Sequence, residues 1–107
     1  MANNYKNAKA DLNSTDNTVI YTCPTATQSI VKSILISNDS GSSDTFDLTL
    51  LNSASAIFSL FKAKSVASNT TVELLSQPLI IEEGEILKAQ ATTADRLHII
   101  VSFLEVN

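Results

Sequence analysis

The chain reads as an all-β protein: a single antiparallel β-sandwich or jelly roll of about eight strands with an N-terminal arm. Three observations lead there. Apolar and polar residues alternate with a period of two, most clearly at Phe46-Asp47-Leu48-Thr49-Leu50 and Leu87-Lys88-Ala89-Gln90-Ala91. Such alternation gives a strand one face for a core and one for water. Between the apolar runs lie short clusters of Asn, Asp, Ser and Thr. With only two glycines and two prolines available, these residues must make most of the turns, through side chains that hydrogen-bond the local backbone. Finally, 44% of the residues are hydrophobic and 17% charged, a balance that builds a core and argues against disorder. A length of 107 residues suits one domain, divided here into an arm over residues 1–9 and a sandwich over residues 10–107.

Residues 1–12 are polar, with Tyr5, Ala8, Ala10 and Leu12 as apolar points. They are expected as an arm that ends in a strand at a sheet edge, and an arm needs a partner to order it. After the turn Asn13-Ser14-Thr15-Asp16-Asn17, residues 18–23 form a strand with Val19, Tyr21 and Cys23 on one face and Ile20 on the other. Pro24 stops it, because proline has no N–H for a ladder. Residues 29–37 are the most apolar strand. Ile30, Ile34 and Ile36 share a face with Lys32, and Val31 and Leu35 take the other, which predicts a central strand with both faces covered. The Ser- and Asp-rich segment 38–44 lacks the acidic spacing and terminal Glu of a calcium hand and reads as a solvated loop.

Residues 45–51 then place Phe46, Leu48 and Leu50 inward and Asp47 and Thr49 outward. In 57–66, Ile57, Leu60 and Phe61 fit a helical spacing, while Ala56, Phe58 and Leu60 fit a strand. The β-context on both sides favours the strand. A short strand over 70–75 follows. Stretch 78–91 reads as a hairpin: Pro78 opens the apolar run Leu79-Ile80-Ile81, Glu83-Gly84 reverses the chain, and the second run alternates. Residues 97–106 close the fold, with Leu97, Ile99, Val101 and Phe103 on one face and Ile100, Leu104 and Val106 on the other.

The residues that carry chemistry are sparse. A net charge of −4 with seven basic residues, scattered along the chain, supplies no phosphate-binding stripe, so no nucleic-acid partner is expected. No apolar run approaches the ~20 residues of a spanning helix, and the start Met1-Ala2-Asn3-Asn4-Tyr5-Lys6 does not read as a signal peptide. No membrane partner is expected. Cys23 is the only cysteine, which rules out an intrachain disulfide and fits folding in a reducing cytoplasm. Next to no basic group in sequence, it is expected as a small buried hydrophobe. His98 is the only histidine, and it is expected as a packed or surface residue. The carboxylates of Glu82-Glu83-Gly84-Glu85 crowd one turn and do not face each other across a cleft. No catalytic residue, cofactor or metal site is therefore expected, and the chain does not read as an enzyme.

One set of motifs is more specific. Tyr21, Pro24, Ile30-Val31-Lys32-Ser33-Ile34 and Asn38, then Leu74-Leu75, the stretch 78–91, and Ile99-Ile100-Val101-Ser102-Phe103-Leu104-Glu105 together resemble a type of small virion structural protein of tailed bacteriophages. The likeness runs from about Lys6 onward. It leads one to expect a glycine soon after Pro24, where this chain has Thr25-Ala26-Thr27. The resemblance implies a particle component: first a capsid decoration (cement) protein on the outer capsid surface, second a neck, tail or fibre component. It also implies the major capsid protein as partner and a virion location after assembly in the host cytoplasm.

Strands that carry apolar residues on both faces are compatible with this reading, because a two-layer sandwich covers only one face of each sheet. They lead us to expect a homo-oligomer, a trimer before a dimer. The candidate partner interface is Tyr5, Lys6, Val31, Leu35, Ile100 and Leu104, with Tyr5 as the anchor of the arm. A carbohydrate- or receptor-binding sandwich is the rival class, and its usual loop aromatics are almost missing from the loops of this chain.

Overall fold

Two long strands pair in the middle of the molecule and everything else is added around them. The structure, a computed structural model, describes residues 3–107. Its nine strands are β1 (Asn3–Leu12), β2 (Thr18–Thr22), β3 (Gln28–Asn38), β4 (Asp44–Leu51), β5 (Ile57–Val66), β6 (Thr70–Glu73), β7 (Leu79–Ile81), β8 (Ile86–Ala91) and β9 (Leu97–Val106). They form two antiparallel sheets and a β-sandwich, the fold class expected from the sequence. The front sheet runs β1-β9-β3-β6, with β7 also on β3, and the back sheet runs β2-β8-β4-β5.

The central pair is β3 and β9, in register from Gln28↔Val106 to Asn38↔Leu97. On β9 the alternation holds throughout: Leu97, Ile99, Val101 and Phe103 are buried between the sheets, and Ile100, Leu104 and Val106 lie on the outer face. The back sheet answers with Phe46 and Leu48 from β4 and Leu87, Ala89 and Ala91 from β8, all buried as their alternation predicted. Phe46 and Phe61 lie with ring centroids 6.3 Å apart, closing the core toward β5. Burying each large aliphatic side chain here contributes about 1.5–3 kcal/mol, so the core is the main source of stability. The strand expected over 57–66 is β5, and residues 39–43 join β3 to β4, while Asn38 and Asp44, expected in the solvated loop, are buried at the ends of those strands.

Four further expectations change. The register of β3 against β9 slips between Val31 and Ser33, a bulge at Lys32. An extra residue inverts the facing of everything before it. Val31 therefore joins Ile34 and Ile36 in the core, fully buried, while Ile30 and Leu35 share the outer face. Val31 is thus not an interface residue. A second slip, between Val19 and Tyr21, turns Ile20 and Tyr21 both inward and leaves Val19 51% exposed.

The 78–91 stretch is not a hairpin. Its first run, β7, pairs with β3 in the front sheet and its second, β8, lies in the back sheet, so the turn is a corner between layers. Gly84 does take a positive φ of 80° there. The corner is tied to the end of β2: Gly84 N–H donates to the Cys23 carbonyl at 3.0 Å, and Cys23 N–H to that of Glu85 at 2.9 Å.

Finally, residues 3–9 are not a free arm. β1 pairs with β9 without interruption from Asn3↔Val106 to Leu12↔Leu97, so it is the edge strand of the front sheet. Met1 and Ala2, the first residues of the expected arm, lie outside the described residues.

Ala26, in the loop after Pro24, has a φ of 55°. This is the loop where the resemblance leads one to expect glycine. A left-handed conformation costs a residue with a Cβ roughly 1–2 kcal/mol, and the extra freedom of glycine in the unfolded chain takes back about 0.5–1 kcal/mol. Ala26→Gly is therefore expected to stabilise the protein, by up to about 1 kcal/mol in chemical denaturation. A loss of stability would contradict the loop geometry.

Candidate functional site

The outer face of the front sheet gathers most of the residues singled out from the sequence. Tyr5 of β1 sits beside Leu104 of β9, Leu104 beside Ile30 of β3, and Ile30 beside Ile80 of β7. One polar row separates this apolar row from another: Lys9, Ile100, Leu35 and Glu73, on β1, β9, β3 and β6. Tyr5 is 78% exposed and Ile80 50%, with Leu104, Ile30 and Leu35 half-buried beside them. This is a candidate binding face, because exposed apolar side chains that lie next to one another can serve as a contact surface. A shallow depression beside Lys9, Asp11, His98 and Ile100 extends it.

Sequence reading found Tyr5, Leu35, Ile100 and Leu104 on this face and missed Ile30 and Ile80. The signal for Ile30 was Lys32. A lysine sharing parity with Ile34 and Ile36 flags a bulge, and a bulge moves Ile30 outward. Ile80 carried no comparable flag, because a three-residue strand is too short to show its period.

At the far end of the same face, His98 Nε2 lies 3.7 Å from Asp11 Oδ1 and 3.6 Å from Asp39 Oδ2. All three side chains are substantially exposed, so the contacts are weak. On the front-sheet edge, Glu73 fills the gap between β6 and β7. Its carboxylate accepts from the Ile34 amide at 2.9 Å, the Leu75 amide at 3.2 Å and the Ser33 hydroxyl. Burial alone would raise its carboxyl, but these hydrogen bonds outweigh it and hold the group below its usual range.

Lys6 does not belong to the outer face. It projects to the inner side of β1, where its Nζ lies 2.8 Å from Glu105 Oε1. Glu105, only 3% exposed, continues the inward parity of β9 into the core. Its other oxygen, Oε2, accepts from the Tyr21 hydroxyl of the back sheet at 2.6 Å. With that proton committed, the Ser29 hydroxyl donates to Tyr21 Oη. The Tyr21 ring rests on Phe103 with centroids 4.3 Å apart. Cys23 lies alongside, buried as expected, its thiol donating to the Thr27 carbonyl at 3.3 Å. Hydrogen bonds from Lys6 and then Tyr21 hold the Glu105 carboxyl below its usual range. Burial first, and donation to Glu105 second, push the Tyr21 phenol above its own. Chemically this is a clamp: each group is satisfied by a neighbour, and it joins β1, β2, β3 and β9.

The back sheet exposes two further large apolar side chains, on opposite sides of its edge strand. Ile57 and Phe58, at the start of edge strand β5, are 66% and 55% exposed. The rest of β5 carries Lys62 and Lys64 and is bulged, with Ala63 at a φ of 52° and its amide on Asp47 Oδ1 at 2.7 Å. Lysines and bulges blunt an edge against further strand pairing. Ile57 and Phe58 are the large apolar side chains that this edge leaves exposed. No protein-family model matches this chain, and no curated protein sequence does.

The clamp gives the fold an acid limit. A carboxyl held below its unfolded value adds stability that is fully present above about pH 4.5, the unfolded value, and is lost as pH falls through the folded one. Glu105 and Glu73 both act in this direction. Glu105→Gln is expected to cost about 1–3 kcal/mol at neutral pH, below the roughly 3–5 kcal/mol of a fully buried broken pair because Lys6 is half-exposed. It should also shrink the loss of stability below pH 4.5, leaving the part due to Glu73. Denaturation midpoints measured against pH for the two proteins check this.

Proposed function

We propose that the chain is a structural component of a tailed-bacteriophage particle, and first of all a capsid decoration protein that binds the outer capsid surface and stabilises the head. The observation that carries the reading is the placement of exposed apolar side chains in two separate regions, Tyr5 and Ile80 on the front sheet and Ile57 and Phe58 on the edge strand of the back sheet. A protein that joins an ordered array needs at least two contacts, whereas a module that binds one ligand needs one. The motif resemblance supplies the kind of array. In this reading the major capsid protein is the partner, assembly takes place in the host cytoplasm, and the protein ends on the particle surface.

The correction at β1 changes how attachment works. A free arm would lose about 1–2 kcal/mol per residue on ordering. Residues 3–9 are already ordered on β9, so the body offers a preformed surface and binding does not bear that cost for them. We assign the capsid contact to the Ile57–Phe58 ledge, the start of edge strand β5, where the two consecutive side chains project to opposite sides of the strand beside a turn whose Ser55 has a φ of 66°.

Heads that lack the protein should assemble but release DNA at a lower temperature, and adding the purified protein should restore them. The double variant Ile57→Ser, Phe58→Ser should keep the wild-type melting curve and fail to restore the heads. Full restoration by that variant would overturn the ledge assignment. Labelling confined to the tail would replace decoration by the neck, tail or fibre reading.

A further inference from the structure

The outer face of the front sheet carries a pattern that matches a second copy of itself, and we propose that two chains pack these faces together about a two-fold axis running nearly along β3 and β9. The argument is in the order of residues across the strands. One row reads Lys9, Ile100, Leu35, Glu73: a cation, two aliphatic side chains and a carboxylate. The other apolar row reads Tyr5, Leu104, Ile30, Ile80. A two-fold axis along the strands reverses the order within a row and keeps each row opposite itself. It sets Lys9 against Glu73 of the second copy, twice, and Tyr5 against Ile80, while the aliphatic centres of both rows meet in the middle.

Other arrangements fit worse. An axis across the strands exchanges the two rows, setting Lys9 against Tyr5 and Glu73 against Ile80, and makes neither Lys9–Glu73 pair. Tilting the favoured axis by about 15° produces the roughly −30° between strand directions that twisted sheets adopt face to face. This is a closed pair, in place of the trimer expected from the sequence.

The size of the face sets the strength. Four strands at about 4.8 Å spacing and nine residues at about 3.4 Å give roughly 600 Å² per copy. A total of about 1,200 Å² is at the small end of specific interfaces, the size of contact expected to form and dissociate reversibly. This pairing uses a face that the capsid contact does not, and it stands or falls separately: heads can bind a monomer, and a dimer can form without heads.

Sedimentation velocity on the full chain across the micromolar range tests it. The expected result is a monomer–dimer equilibrium. Leu104→Glu should weaken it about tenfold or more, because an unpaired carboxylate enters the apolar row. Ile100→Lys, a second outer-face change, should act in the same direction, and at least one of the two should keep the wild-type melting curve.

A cross-linking arm fixes the axis. Chains carrying Asp11→Cys mixed with chains carrying Thr71→Cys should be joined by a short bismaleimide, since the favoured axis brings these row-mates together. Asp11→Cys chains alone should not be joined. A monomer throughout the range, a trimer, a dimer indifferent to both outer-face changes, or efficient cross-linking of Asp11→Cys chains to one another would overturn the proposal.

Discussion

A single buried carboxylate links the parts of this fold that packing alone does not hold. Glu105 sits at the end of β9 on the core side, where an ion without partners would cost several kcal/mol. It is kept there by Tyr21 from the opposite sheet and by Lys6 from the edge strand. The Tyr21 bond fixes how the end of β2 lies over β9. The Lys6 bond fixes the outer half of β1, whose inward side chains there are the polar Asn4 and Lys6 and give no apolar burial. Tyr5, between them and on the opposite face, owes its fixed position to this pair. A buried ion pair is a poor source of net stability, and its use here is positional.

Two irregularities then decide what the surface looks like. Without the bulge at Lys32, Val31 would face outward beside Leu104, Ile30 would face inward beside Glu105, and Lys32 would be turned into the core beside Phe103. The slip in β2 has the converse effect, bringing Ile20 and Tyr21 together into the core at the expense of Val19. Glu73 makes a third adjustment. It stands in for a strand where β6 has ended and β7 has not begun, satisfying the Ile34 amide that the ladder leaves open. The front sheet can therefore carry aliphatic side chains on both faces while its backbone groups stay paired.

How much of this could be read from the sequence depended on the regularity of each strand. β4, β8 and β9 alternate clearly, and Phe46, Leu48, Leu87, Ala89, Ala91, Leu97, Ile99, Val101 and Phe103 are legible as core, whereas Leu50 is only half-buried and the buried Asp44 and Glu105 are not read as such. The burial of Cys23 and the turn at Gly84 are legible too. The bulged strands misled, because a period-two reading carries one extra residue into every later assignment. β1 reads as an arm because its composition is polar. Its strand character comes from the backbone ladder to β9 and from one long-range ion pair, neither of which leaves a local pattern. The 78–91 stretch looked like a hairpin because a tight turn signals reversal, not whether the chain returns to the same sheet. Glu105 did leave a trace: it follows Leu97, Ile99, Val101 and Phe103 at the same parity, and a carboxylate in a core series requires a partner.

The central claim is that the Lys6–Glu105 pair holds the outer half of the edge strand. Amide hydrogen exchange on wild type and on Lys6→Met, which keeps the aliphatic stem and removes the charge, tests it most directly. The account predicts faster exchange in residues 3–7 of β1, with the amides of β3 and the centre of β9 as protected as before. Unchanged protection in β1, or an equal loss throughout both sheets, would contradict it.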